Sequence, residues 1–169
     1  MLNIAVMNSS KHKVTYLSSE MGAIELKTRI NKFQDIPLSA WKAIKFKERS
    51  GNFADVLDPN GFTIIDFLEI TDDFYRIATF IKEIHDRLDT GICVIGIQKN
   101  KGRDSGRGGD LGLEKPRLYL AMESGKLKIV KCKAWAKEGV NPNGLIKQFK
   151  LVQGAKFIDD SPWHREGEI

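Results

Sequence analysis

No Gly-x-x-x-x-Gly-Lys-Ser/Thr segment occurs anywhere in the 169 residues. That absence excludes the glycine loop whose backbone N–H groups, lysine and hydroxyl usually hold a nucleotide's phosphates and metal. Cysteine is scarce: Cys93 sits in an apolar run and Cys132 between two lysines. Two such residues argue against a disulfide scaffold and for a reducing compartment. Cys93 itself reads as a small core residue. The cysteines and the three histidines show no metal-ligand spacing. Long apolar runs are missing too, and none approaches the ~20 residues that cross a bilayer. The segment Met1-Leu2-Asn3-Ile4-Ala5-Val6-Met7 is too short, and lacks the basic flank, for a signal peptide. These absences lead to the expectation of a cytoplasmic protein that does not engage a membrane.

What is present suits one domain with a real core. A hydrophobic fraction of 41% and a charged fraction of 29% are ordinary for a globular chain. The net charge of +5 permits contact with nucleic acid without establishing it.

Residues 2–8 read as the last turns of a helix, with Leu2, Ile4, Ala5 and Val6 apolar and no cap at the start. Lys13 to Ser18 reads as a buried strand. Gly22 to Lys32 reads as a helix that offers Ile24, Leu26 and Ile30 for packing. A second short helix is expected from Pro37, carrying Leu38, Trp41 and Ile44 on one face. Residues 47–61 are polar and end in Asp58-Pro59-Asn60-Gly61, a strong turn signal.

Phe62 to Ile65 is an unalternated apolar run, the pattern of a strand covered on both faces in a parallel sheet. Thr71 or Asp72 can cap the next helix. Phe74, Ile77, Ala78, Ile81, Ile84 and Leu88 have helical spacing and should face a core. Ile92 to Ile97 reads as another buried strand, so the middle of the chain forms a strand–helix–strand parallel crossover.

The segment 99–115 is glycine-rich, basic and long for a connection. Arg117 to Met122 and Lys126 to Lys133 read as a hairpin about Ser124-Gly125. Leu145 to Val152 alternates like an antiparallel strand. The tail after Phe157 looks polar and weakly anchored.

In open parallel sheets, ligands sit beyond the carboxyl ends of the strands. Glu20, Asp66 and Gln98 each follow a strand-like run and so belong at such ends. An aspartate there can hold Mg²⁺ through water. A glutamate can orient or deprotonate a water, and a glutamine can respond to a phosphate and relay it to the next loop. The plainer alternatives are a helix-start acid at Glu20 and a strand-end cap at Asp66. Glu69 could orient a water or stand as a solvated loop acid.

Several short segments, taken in order, resemble one family. Tyr16-Leu17-Ser18-Ser19-Glu20-Met21 resembles the Ser-x-Glu-Met segment of DnaB-type replicative helicases and their RecA-like relatives. Thr63-Ile64-Ile65-Asp66-Phe67-Leu68-Glu69 is similar to that family's Walker B strand, and Val94-Ile95-Gly96-Ile97-Gln98-Lys99-Asn100 to its apolar strand ending in glutamine. Leu113-Glu114-Lys115-Pro116-Arg117-Leu118-Tyr119-Leu120 resembles the stretch entering the next strand. Lys131-Cys132-Lys133, followed by Asn143-Gly144, resembles the basic hairpin that reaches a neighbouring subunit's nucleotide.

The resemblance covers roughly residues 2–157. It implies an α/β RecA-like three-layer sandwich with a mostly parallel central sheet and a C-terminal antiparallel hairpin, missing the P-loop strand. Residues 1–158 would form the incomplete ATPase core and 159–169 a polar tail. The implied activity is ATP hydrolysis coupled to DNA binding, with the chain inactive alone. The implied catalytic set is Glu20 as base, Asp66 serving the metal and Gln98 as sensor, with ATP and Mg²⁺ as cofactors.

Lys131 and Lys133 would reach the nucleotide in trans. The family carries a lysine and an arginine there, and lysine lacks arginine's planar fork. Lys99, Lys101, Arg103 and Arg107 fall where RecA-like rings face DNA, and could contact the phosphates of a single strand. The same loop could equally be a mobile surface loop, since it holds no aromatic stacking partner. Expected partners are DNA and either further copies of the chain or a complementary subunit. The alternative function is a non-catalytic RecA-like module that binds nucleic acid or a partner helicase subunit.

Overall fold

A computed structural model describes residues 1–69 and 73–167. Within it, three largely apolar runs and one alternating segment form a parallel sheet of four strands. These are β1 (Val14–Ser18), β2 (Ile44–Glu48), β3 (Phe62–Asp66) and β4 (Ile92–Ile95), in the order β2-β1-β3-β4. All three pairings are parallel, with Ser18 opposite both Glu48 and Asp66. The carboxyl ends of β1, β2 and β3 therefore lie along one rim.

The central strands β1 and β3 are buried along their whole length. A parallel sheet needs cover on both faces, and two apolar clusters supply it. On one face, α1 (Leu2–Asn8) and α3 (Leu38–Lys42) contribute Leu2, Ala5 and Trp41, which pack with Val14, Tyr16, Phe62 and Ile64. On the other, α4 (Ile77–Arg87) lays Ile77, Ile81 and Ile84 against Leu17, Ile65 and Phe53. Fully burying a Leu or Ile side chain is worth about 1.5–3 kcal/mol, so Leu17, Ile64 and Ile65, each 0% exposed, anchor the sheet. The helix α2 (Ala23–Ile30) buries no residue fully: Leu26 and Ile30 rest on the first cluster, while Ile24 faces solvent.

Residues 118–159 carry a second sheet, which is antiparallel. Its strands run in sequence order: β5 (Leu118–Glu123), β6 (Lys126–Cys132), β7 (Ile146–Val152) and β8 (Lys156–Asp159).

The sequence reading is altered in three places, and a fourth expectation is not reached. The expected single sheet with a hairpin is instead two four-stranded sheets. Ile44 begins β2 rather than closing the face of α3, because Ile44-Lys45-Phe46-Lys47-Glu48 pairs residue for residue with β1. The segment after Phe157 is held: β8 pairs with β7, and Ile146 and His164 exchange backbone hydrogen bonds at 2.8 and 3.0 Å. The capping role expected of Thr71 or Asp72 lies outside the described residues, and helical structure resumes with a 3-10 turn at Phe74–Arg76 ahead of α4.

Candidate functional site at the carboxyl rim of the parallel sheet

β1 ends in Ser18-Ser19-Glu20-Met21, and two serines fix the turn that follows. Ser18 Oγ accepts the Met21 N–H at 2.9 Å. Ser19 Oγ donates to the Phe67 carbonyl at 3.1 Å and accepts the Phe67 N–H at 3.2 Å, while the Ser19 N–H donates to the Asp66 carbonyl at 3.2 Å. The turn after β1 is thus stapled to the end of β3, where the Asp66–Phe67 peptide bond is cis. This staple sets where Glu20 stands. The Gln98 amide nitrogen donates to Glu20 Oε1 at 3.1 Å, which ties the turn after β1 to the segment after β4.

Glu20 and Gln98 line a small cavity of about 70 Å³ with Phe67, Leu68, Glu69, Ile97 and Arg107. Glu20, Glu69 and Gln98 all reach solvent there. Arg107 is held at the cavity by its backbone. Its N–H donates to the Gln98 carbonyl at 2.8 Å, and its guanidinium lies 5.9 Å from the Phe74 ring centre. The glycines on either side are packed too closely for a side chain. A Cβ on Gly106 would stand 2.6 Å from Ile97 Cγ2, and one on Gly108, whose φ is +95°, would stand 2.5 Å from Ile77 Cγ2. Arg107 is therefore carried by a rigid Gly-Arg-Gly turn.

Asp66 is placed differently. The residue is 7% exposed, and its carboxylate accepts a hydrogen bond from the Tyr16 hydroxyl on the α1 side of the sheet. Burial and the Asp66 carboxylate both hold the Tyr16 phenol well above its ordinary pKa, with burial the larger cause. The Met1 amine is close enough to feel the Asp66 charge, although burial dominates and pushes its pKa down.

Among the described residues, no three His, Cys, Asp or Glu side chains gather into a metal-binding group. The donor set suits Mg²⁺ only in the mode that uses one carboxylate, waters and substrate phosphates. Asp66 fits that mode in part, since Tyr16 takes only Oδ2.

The remaining candidate residues are dispersed. Lys131 Nζ donates to the Leu113 carbonyl at 2.9 Å, and Lys133 Nζ donates to the carbonyls of Glu114 and Lys115. Both lysines thus fold back onto their own chain and satisfy carbonyls at the end of the 3-10 turn Gly109–Leu113. Lys99 pairs with Glu123 at 2.6 Å. Lys101 and Arg103 stand exposed at the loop tip with no ion pair among the described residues.

Sequence reasoning assigned no role to Tyr16, Ser18 or Ser19. The two serines directly before Glu20 were the available signal, because short hydroxyl side chains near a strand end commonly bond nearby backbone. Among the described residues, no helix is long and apolar enough to cross a membrane. No known family model matches this chain, and no curated protein matches it either.

Proposed function

We propose that the chain is a RecA-like ATPase module of the DnaB helicase type, coupling ATP hydrolysis to DNA binding, and that it is inactive until another segment supplies the phosphate cradle. One observation carries this reading. The Gln98–Glu20 hydrogen bond of 3.1 Å joins the ends of β1 and β4 across the end of β3, which carries Asp66. A water-activating acid and an amide able to report on a phosphate then share one cavity. Asp66 serves the metal, and Glu20 holds and deprotonates the attacking water. Gln98 couples that site to the loop bearing Lys101, Arg103 and Arg107. The partners are single-stranded DNA and further subunits, whose nucleotide Lys131 and Lys133 reach when released from their own carbonyls.

The experiment is titration with a fluorescent non-hydrolysable ATP analogue and Mg²⁺, with and without an added peptide carrying a strand and a phosphate-binding loop. Saturable binding only in the presence of the peptide supports the reading. Robust Mg²⁺-dependent turnover by the chain alone, or no binding in either arm, counts against it.

The Tyr16–Asp66 contact favours a second reading. A metal-serving carboxylate held by a buried phenol suits a domain that keeps the architecture and binds nucleic acid or a helicase partner without catalysis. DNA binding that is indifferent to nucleotide in both arms would select it.

A further inference from the structure

The two edges of the parallel sheet are built differently. β2, at one edge, alternates apolar and charged residues, with Lys45, Lys47 and Glu48 in its five positions. Charged side chains on an edge strand deter further pairing. β4, at the other edge, reads Ile92-Cys93-Val94-Ile95 and continues through Gly96 to Ile97 without a charge, a proline or a bulge. That is the composition of an interior parallel strand, yet among the described residues β4 pairs on one side only.

The backbone shows which groups are left over. Ile92 N–H donates to the Gly61 carbonyl at 2.9 Å and Gly96 N–H to the Ile65 carbonyl at 2.8 Å, both towards β3. In a parallel ladder, alternate residues point their N–H and C=O to the same side. Val94 therefore also faces β3, and Cys93 and Ile95 direct theirs to the open edge. Neither residue makes another backbone hydrogen bond among the described residues. Unpaired backbone groups beside apolar side chains are costly and template a further strand.

The side chains tell the same story. The central strands are buried throughout, whereas Ile92 is 49% exposed and Cys93, Val94 and Ile95 are only partly covered. β5, whose outer edge is also unpaired among the described residues, is tied to the carboxyl end of β4. There the Gly106 N–H donates to the Tyr119 hydroxyl at 2.8 Å, and Gly106 packs on Ile97.

We propose that the open edge of β4 is a docking site for one extended, uncharged, apolar peptide strand, which hydrogen-bonds to Cys93 and Ile95 and extends the parallel sheet. The absence of charge from Ile92 to Ile97 selects an uncharged partner, and backbone pairing supplies the affinity.

The test uses the unaltered chain and, as probe, a nine-residue peptide of alternating valine and isoleucine flanked by lysine pairs. Amide hydrogen exchange is followed residue by residue. The chain alone should exchange Cys93 and Ile95 rapidly and Val94 slowly. The probe should slow Cys93 and Ile95 by about tenfold or more. The same peptide N-methylated at alternate residues cannot pair and should protect neither. Slow exchange at Cys93 and Ile95 in the isolated monomer overturns the proposal, as does equal protection by the N-methylated peptide. Protection without the probe that grows with protein concentration, together with a dimer in sedimentation, also overturns it by assigning the edge to a second copy.

Discussion

At the scale of single residues, three interior groups, two of them fully buried and one partly covered, have measurable consequences. Tyr16 is 1% exposed and its phenol is bonded to Asp66. Its pKa in the folded chain is raised above the ordinary value of 10.0. The protonated phenol is favoured by folding, so its contribution is fully present below about pH 10 and is lost as the pH rises towards the folded value. Denaturant titrations should show stability falling above pH 10, and Tyr16→Phe should flatten that fall. An unchanged alkaline slope would place the phenol in water. Thr63 is 0% exposed and its hydroxyl has no hydrogen-bond partner among the described residues. An unsatisfied buried hydroxyl costs about 1–3 kcal/mol, so Thr63→Val, which keeps the shape, should raise the denaturation midpoint. Burial pushes the Cys93 thiol up to about 12. Alkylation in the native state at pH 8 should therefore label Cys132 well before Cys93, and mass spectrometry of the peptides reads the order.

Among the elements, the turn after β1 and the Gly106–Gly108 segment position the cavity. Ser19 makes two hydrogen bonds to Phe67, so Ser19→Ala should cost about 1–3 kcal/mol and loosen Glu20. Thermal denaturation gives the first quantity, and the loss of a Gln98 side-chain amide shift gives the second. The legibility of these elements follows from the range of the forces that make them. β1, β3, β4 and α4 were readable because apolar runs and helical spacing are local signals of burial. β2 was not, since Ile44-Lys45-Phe46-Lys47-Glu48 continues from a helix without a breaker and alternates like a surface segment. β8 was hidden in the same way, with all four of its residues exposed and its order coming from pairing with β7. Glu20, Asp66 and Gln98 could be placed at strand ends from sequence. Their partners could not, because Tyr16 meets Asp66 across 50 positions and Ser19 meets Phe67 across 48.

Over the whole molecule, the question is where the net charge of +5 is available to a polyanion. Much of the cationic charge around the second sheet is already matched. Lys99 pairs with Glu123, Lys126 with Glu166, Lys128 with Asp104, Lys147 with Asp159 and Lys150 with Asp160. Such exposed pairs add little stability, but they reduce the local field that would attract a nucleic acid. Lys101 and Arg103 remain at the loop tip, while Arg107 lines the cavity with Glu20 and Gln98, its guanidinium over the Phe74 ring. The basic loop thus divides into two parts with different expected effects. Each cation bound to a single strand contributes about 0.7 to the slope of log K against log salt. Replacing both Lys101 and Arg103 with Ala should weaken single-strand binding and lower that slope by about 1.4. Arg107→Ala should leave the slope unchanged and instead weaken any binding of Mg²⁺–triphosphate in the presence of a phosphate-loop peptide. Fluorescence anisotropy with a labelled oligonucleotide over a salt series measures the first effect, and the ATP-analogue titration measures the second. If Arg107→Ala lowers the salt slope as much as the tip substitutions do, the guanidinium belongs to the nucleic-acid surface, and its place at the cavity margin has no part in nucleotide recognition.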